Sequence, residues 1–561
     1  MTVIAKTNLM KFTKSHAAIL ILSLLGGFAL TYGAMLANNE SIEDFNIGKF
    51  LTLFFYTFIL FLFNNFLFKK IDNRYDKTTL KNKRPFVKKN FFVLWGIIFA
   101  LWLPVFLAYF PTIWTYDVES QFPAITEIQM SAQQPVLHTF FMEGIFISGN
   151  TIFGSQEAGM ALLSIVQMLI TSAIFAYAIE KISTFIPNKK TNKITKIALI
   201  IFFGLVPFNS IMSISMTKDT IFSGLFLLII LKIYDIIDAG YISRKNACIT
   251  VLLCILMMLF KTYAIYAFTL FTIIAIFLVN KKLRLKTAVL CLTSLFSAFL
   301  INTGLNAITN ANPAPSTEAW SVPVQSLICL GASHPELIPE YGSGGIIFGI
   351  APRDDFAENF STHCQKQVAD GAKVSWYTSL DNGHTTKKDI LKAWVKYGFK
   401  YPLDYIDIYG NMTLGAWYPY DTTHAEIYGG KPYLMTNFHD VQNFEVKDYD
   451  SKFPALKDGL ETVATDSTHQ KYPIISLIFA PATYVWVLIF VSFYLIHKKA
   501  KPEMIPIVLL LSLLAVILFG PGIMVRYMYQ FMVAAPIVLI RTIYGIKQTT
   551  IHKLPSNKAK A

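Results

Sequence analysis

The chain has 561 residues and a formal net charge of +14, with 54% hydrophobic but only 15% charged residues and a mean hydropathy of +0.47. Soluble domains carry about 25% charged residues, so this composition excludes an ordinary soluble protein, and its 15% aromatic content excludes a disordered one. Five cysteines exclude a disulfide framework, and the basic balance does not require nucleic acid, because cytoplasmic loops of membrane proteins collect Lys and Arg.

A transmembrane helix needs roughly 17–25 mostly apolar residues. Read in chain order, the sequence offers about twelve such segments: 17–37, 50–68, 91–110, 158–179, 197–214, 220–236, 247–260, 263–279, 287–303, 472–496, 503–519 and 527–546. The pairs within 197–236 and 247–279 have short outer turns. A further apolar run, Leu137 to Ser148, is about a dozen residues long and reads as re-entrant or interfacial. The first segment is longer than the apolar core of a usual signal peptide, so it reads as an uncleaved anchor.

Positive charge sets the orientation. Lys69 to Lys89 holds nine Lys/Arg, and further basic loops lie at Lys181 to Lys196, Lys281 to Lys286, His497 to Lys501 and the C-terminal tail. All fall on the cytoplasmic side if both termini are inside. The expected fold is an all-α polytopic membrane protein, multi-pass in a bacterial plasma membrane, with an extracytoplasmic mixed domain inserted before the last three helices. Four regions are expected: 1–90, a two-helix extension with a basic loop; 91–303, a transmembrane core with an outer loop at 111–157; 304–471, the exported domain; and 472–561, three helices and a basic tail. Within the exported domain, Asp389 to Tyr401 has helical periodicity and Gly342 to Gly345 reads as a turn. Cys329 and Cys364 lie there, where the compartment permits a disulfide. Cys248, Cys254 and Cys291 lie in spans and read as packing residues.

The chemistry candidates cluster on the outer side. Asp117 and Glu119 follow the third span directly, and a carboxylate near a low-dielectric boundary holds its proton more tightly and can act as a general base. Solvated carboxylates at membrane exits are also common. Gln121 is in the same loop, and Gln134-Pro135-Val136-Leu137-His138-Thr139 opens the short apolar run, with His138 a candidate proton or phosphate partner. A lone interfacial histidine is more often simply hydrogen-bonded. Lys218-Asp219, Lys261 and Arg526-Tyr527 place three cations at span ends on the outer face, against the positive-inside pattern. Such charges are costly near the membrane core, and three together suit an anionic lipid phosphate or pyrophosphate. Snorkelling to headgroups would explain any one of them. In the exported domain, Glu318, Gln325, Trp417 and Tyr418 combine aromatic and polar groups that could stack on sugar rings or serve as core. Nothing resembles a zinc site, a divalent metal is not indicated, and no nucleotide-binding loop is present.

On these residues the chain resembles the GT-C superfamily of membrane glycosyltransferases, over about 91–546. The resemblance rests on the acidic outer loop with Asp117, Gln134 to Thr139, Lys218-Asp219, Ser321 to Gln325, Trp417-Tyr418-Pro419 and Arg526-Tyr527. It implies a helical core with an outward cavity and a polyprenyl-phosphate sugar donor used with membrane lipid around it. The acceptor would be a surface polysaccharide, teichoic acid or a lipid-linked intermediate. Asp117 then matches the catalytic acid of the first outer loop; Arg526, Lys218 and Lys261 match positions that hold the lipid phosphate. The sequence departs from that pattern in having Glu119 rather than an adjacent acid pair, and in carrying its exported domain before the last three spans. A polysaccharide polymerase or ligase, and a lipid-linked glycan transporter, are the rival readings.

Overall fold

The computed structural model describes residues 2–75, 84–115, 118, 121–123, 127, 129–314, 318–334, 337, 346–347, 351–352, 385–420, 446, 449–466, 468–520 and 523–545. Among the described residues, eleven helices run through the first 308 positions: α1 Thr2–Ala37, α2 Ile47–Tyr75, α3 Lys88–Ala108, α4 Val136–Phe153, α5 Gln156–Ser183, α6 Lys189–Leu205, α7 Pro207–Ile214, α8 Lys218–Ala239, α9 Arg244–Phe260, α10 Ala264–Leu278 and α11 Lys281–Ile308. Eight more follow: α12 Ser321–Ser333, α13 Lys387–Lys400, α14 Pro402–Trp417, α15 Pro454–Thr465, α16 Pro473–Phe479, α17 Pro481–His497, α18 Ile505–Leu518 and α19 Val525–Tyr544.

Local chemistry sets many of the boundaries. Ser155, Asn188, Thr217 and Ser243 cap α5, α6, α8 and α9, each accepting a hydrogen bond from an amide of the first turn. Gly154 and Gly240 close α4 and α8 in left-handed backbone. Pro207 and Pro481 lack the amide that would continue the preceding helix. There the chain bends by 49° between α6 and α7, and by 81° between α16 and α17.

Among the described residues, eight helices are long and apolar enough to cross a membrane, or up to ten if each bent pair is one span. The protein is therefore a multi-pass membrane protein, predominantly helical among the described residues. Every one of the twelve apolar segments is helical, but the expectation of about twelve spans is not met by length. α9 has 17 residues and α10 has 15, about 25 Å and 22 Å at 1.5 Å per residue, short of a bilayer core of about 30 Å. The run read as a dozen residues from Leu137 is instead an 18-residue helix, α4, because Glu143, Ser148 and Asn150 do not interrupt it.

The bundle is centred on α8 and α19, whose most apolar stretches are 72% and 67% buried, against 11% for α2 and 17% for α11. Between apolar helices in lipid, close packing replaces hydrophobic burial as the driving force, and small residues permit it. At Gly149 a Cβ would lie 2.8 Å from Gly159 Cα, so α4 and α5 meet backbone to backbone. Trp102 of α3 is fully buried, donates to the Phe203 carbonyl at 3.0 Å and meets Phe175 edge-on.

The 304–471 region is expected to be a mixed domain. Among the described residues it is helical, with one two-residue antiparallel pair, Ile346–Ile347 with Ala351–Pro352. It is seated on the spans: α14 packs against α1 and α17, and α15 against α3. Its own helices lock together where Tyr405 donates to the Trp394 carbonyl at 3.0 Å, and burial pushes that phenol's pKa up. Cys329 is disulfide-bonded, while Cys248, Cys254 and Cys291 are free thiols. Cys364 and the Gly342–Gly345 turn lie outside the described residues. Buried Cys254 and Cys291 pack in the core; Cys248 is exposed.

Candidate functional site

The site is built at one end of α8. The stretch after α3 is extended and pairs in parallel with the stretch after α7. Ile113 N–H donates to the Ile214 carbonyl (3.1 Å), Met216 N–H to the Ile113 carbonyl (2.9 Å), and Thr115 Oγ1 to the Met216 carbonyl (2.7 Å). Gln167 of α5 ties down the same turn, donating to the Ser213 and Ser215 carbonyls at 3.0 and 2.8 Å. Thr115 precedes Asp117 by two residues, and Met216 precedes Lys218 by two. Asp117 and Glu119 themselves lie outside the described residues.

Thr217 caps α8 and donates to Asp219 Oδ2 at 2.9 Å. Asp219 is fully buried and forms an ion pair with Lys261, which is itself 1% exposed at the junction of α9 and α10. Arg526, 3% exposed at the start of α19, reaches Asp219 Oδ2 at 3.8 Å. Two phenol rings complete the setting. Lys261 Nζ lies 4.7 Å above Tyr527 and 4.9 Å above Tyr263, and the Arg526 guanidinium lies 4.7 Å from Tyr527. Arg526 Nη2 also donates to the Tyr527 hydroxyl at 3.0 Å. A cation over an aromatic face is attracted by the ring quadrupole, most strongly where water is excluded.

Lys218 donates to Gln134 Oε1, and one turn on, His138 is buried with its ring 5.5 Å from Phe260, the residue before Lys261. His138 Nδ1 lies 2.9 Å from Gln121 Oε1, which fits a proton on Nδ1. Lys218, Asp219, Lys261, Arg526, Tyr527, Gln134, His138 and Gln121 are thus brought to one end of the bundle. Asp219 is a buried hub that pairs Lys261 and approaches Arg526, and it is not itself suited to hold a phosphate. Among the described residues, Lys261 and Arg526 gather around this one carboxylate, with Lys218 beside it. The N-termini of α8, α10 and α19 start at the same place, and helix N-termini favour anions.

Four further residues were not singled out by sequence reasoning. Thr217 caps the hub. The Tyr263 hydroxyl and Gln530 Oε1 are buried with no hydrogen-bond partner. Asn209 accepts from Tyr529 at 2.9 Å, linking α7 to α19. The signal for Tyr263 was its position two residues from Lys261, and for Gln530 the i+4 spacing from Arg526.

The sugar-contact candidates are elsewhere. Trp417 stacks on Tyr32 of α1 (5.9 Å, 10° between planes), and its carbonyl accepts from Trp486 at 2.7 Å. Tyr418 is buried against Gly33, where a Cβ would sit 2.4 Å from the ring. Both are held in the junction of α1, α14 and α17. Gln325 is buried in α12, and Glu318 opens a short 3-10 turn, its side chain outside the described residues.

At the opposite end of the same two helices lies a second cluster. Arg541 of α19 makes four hydrogen bonds: to Asp238 at 2.8 and 3.1 Å, and to Glu503 at 2.7 and 3.1 Å. Its guanidinium lies 4.5 Å from Phe185 and 5.0 Å from Tyr234.

Fold and site together define a polytopic helical membrane protein with buried cations gathered around one carboxylate at one bundle end. The chain belongs to the family described as Family of unknown function (DUF6020), whose model matches residues 122–554. That match begins one residue after Gln121, so Asp117 and Glu119 precede it. No curated protein and no solved structure matches the chain. Among the described residues no group of three His, Cys, Asp or Glu side chains could hold a metal ion.

Proposed function

We propose that the protein is a GT-C-type membrane glycosyltransferase that moves a sugar from a polyprenyl-phosphate donor to a cell-surface glycan or lipid-linked acceptor on the extracytoplasmic side. The observation that carries this reading is the gathering of Lys261 and Arg526 around Asp219, with Lys218 beside it, at three helix N-termini. An anion is the ligand such an arrangement selects, and a lipid phosphate can reach it from the bilayer. The Tyr263 hydroxyl would donate to the phosphate, and Gln530 Oε1 would accept from a sugar hydroxyl.

Asp117 accepts the proton of the acceptor hydroxyl. The acceptor oxygen attacks the anomeric carbon as the bond from that carbon to the phosphate oxygen breaks. The bonding pair leaves on the phosphate, whose growing charge Lys261 and Arg526 stabilise. Asp219 keeps Lys261 in place, and one displacement inverts the anomeric centre. His138, held by Gln121, orients the loop. Asp117→Asn in membranes supplied with labelled polyprenyl-phosphate sugar is expected to lower transfer by about 10²–10⁴-fold. Full transfer by that variant sinks the assignment, and a ladder of polymer products would favour a polymerase instead.

A further inference from the structure

We propose that α13 and the first turns of α14 lie in the headgroup layer of the membrane on the side of the cation cluster, bound there by anionic phospholipid. The side is set by contacts. Tyr409 of α14 donates to the carbonyl of Leu518, the last residue of α18, at 3.3 Å, seven residues before Val525 opens α19 beside Arg526.

The sequence of α13, KKDILKAWVKYGFK, carries two neighbouring stripes. Leu391, Val395 and Phe399 recur every four residues and are 43%, 43% and 86% exposed; Leu403 and Ile406 continue the exposed row onto α14. Lys388, Lys392, Lys396 and Lys400 repeat at the same interval about one residue further round the helix. With Lys387, the helix has five lysines against Asp389 alone. Its other face is already used: Ile390 is fully buried, and α13 packs on α12 and α14.

In water, a phenylalanine as exposed as Phe399 gains nothing from its place on a folded helix. A helix with one apolar and one basic stripe instead lies in a membrane surface, with its apolar face roughly 5–10 Å into the headgroup and acyl boundary. The lysine stems can then lie along the acyl boundary while their ammonium groups reach phosphate. Lys396 and Lys400 lean over Tyr397 and Tyr401 at 5.3 and 4.9 Å, in the aromatic setting typical of that layer. Two features favour lipid over a second copy of the chain. The lysine rows of two copies would repel each other, and α14, which carries the end of the stripe, packs on α1 and α17 of the membrane bundle.

The test uses the full chain in lipid nanodiscs, in a Cys248→Ser background, with an environment-sensitive fluorophore on Val395→Cys, Phe399→Cys or, as control, Asp389→Cys. In discs containing phosphatidylglycerol, bromine-labelled lipid is expected to quench the labels at 395 and 399 and to spare the one at 389. Combining Lys392→Gln, Lys396→Gln and Lys400→Gln with the label at 399 is expected to abolish its quenching. Quenching at 399 by aqueous iodide to the same extent as at 389 overturns the proposal, and so does a label shielded from both quenchers, which protein would then cover. Hydrogen exchange of the unlabelled chain gives an independent reading. Amides of 387–406 slowed in phosphatidylglycerol discs relative to detergent support the proposal, and unchanged exchange overturns it.

Discussion

Helices α8 and α19 meet a buried ion cluster at each end, and the two clusters are built on opposite charge logic. At one end a single arginine, Arg541, satisfies two carboxylates through four hydrogen bonds. This end is a staple joining α8, α19 and the 3-10 turn Lys501–Met504 that leads into α18. At the other end a single carboxylate, Asp219, gathers Lys261 and Arg526, with Lys218 beside it. Phenols and an amide oxygen line that end, two of them with no hydrogen-bond partner. The first cluster is closed chemistry, and the second is arranged to receive an anion. The same two helices can serve fold at one end and chemistry at the other because a buried charge is tolerated wherever a partner is fixed in place.

The contrast breaks if the two ends respond alike to substitution. The largest effect is expected at the closed end. Arg541→Met strands Asp238 and Glu503 in the interior and should lower stability by about 3–5 kcal/mol, read as a thermal melt in detergent. Adding Asp238→Asn and Glu503→Gln should restore much of the loss, and a single variant that melts normally would show that the staple is dispensable. At the other end, Arg526→Gln leaves Lys261 to neutralise Asp219. It should melt close to the parent while sugar transfer falls by about 10²–10³-fold, or roughly 2.7–4 kcal/mol. A melt reduced as far as that of Arg541→Met would make the open end structural too.

A third site sharpens the comparison, because it fastens the 304–471 region to α1. Asp407 accepts from Tyr32 Oη and Ser41 Oγ, both at 2.6 Å, and from the Ile42 amide at 3.0 Å. Tyr32→Phe removes one hydrogen bond to a charged group and should cost about 1.5–3 kcal/mol. A melt unchanged from the parent would mean that the clamp does not bear on folding. The smallest effect is expected at Lys218, which is part-exposed. Lys218→Gln should raise the KM for donor about two- to fivefold and weaken its dependence on salt, with kcat nearly kept, since partly solvated charge pairs are worth about 0.2–1 kcal/mol. A large kcat loss would place Lys218 at the reacting phosphate.

Much of the fold was legible in the sequence, because a helix in lipid must be apolar along its whole length. Even α9 and α10, too short for the span test, were found as helices. What failed was the step from apolar run to membrane span: polar residues did not interrupt α4, and prolines broke two runs into bent pairs. The site was legible in part. Lys218, Lys261 and Arg526 stood out because cations at the ends of apolar runs on the less basic face need a reason. Asp219 was visible beside Lys218, but its pairing was not, since adjacency in sequence says nothing of a partner 42 residues away. Arg541 passed unnoticed in a basic region, where one more arginine looked like topology.

Composition and apolar periodicity alone therefore determined that this is a multi-pass helical membrane protein, and the distribution of charge picked out its candidate end. Tertiary structure decided which charges are partners. Arg541 reaches Asp238 across 303 residues, and Tyr32 reaches Asp407 across 375. Pairing over such distances is set by which helix ends the bundle brings to the same depth, and no local pattern in the chain encodes that.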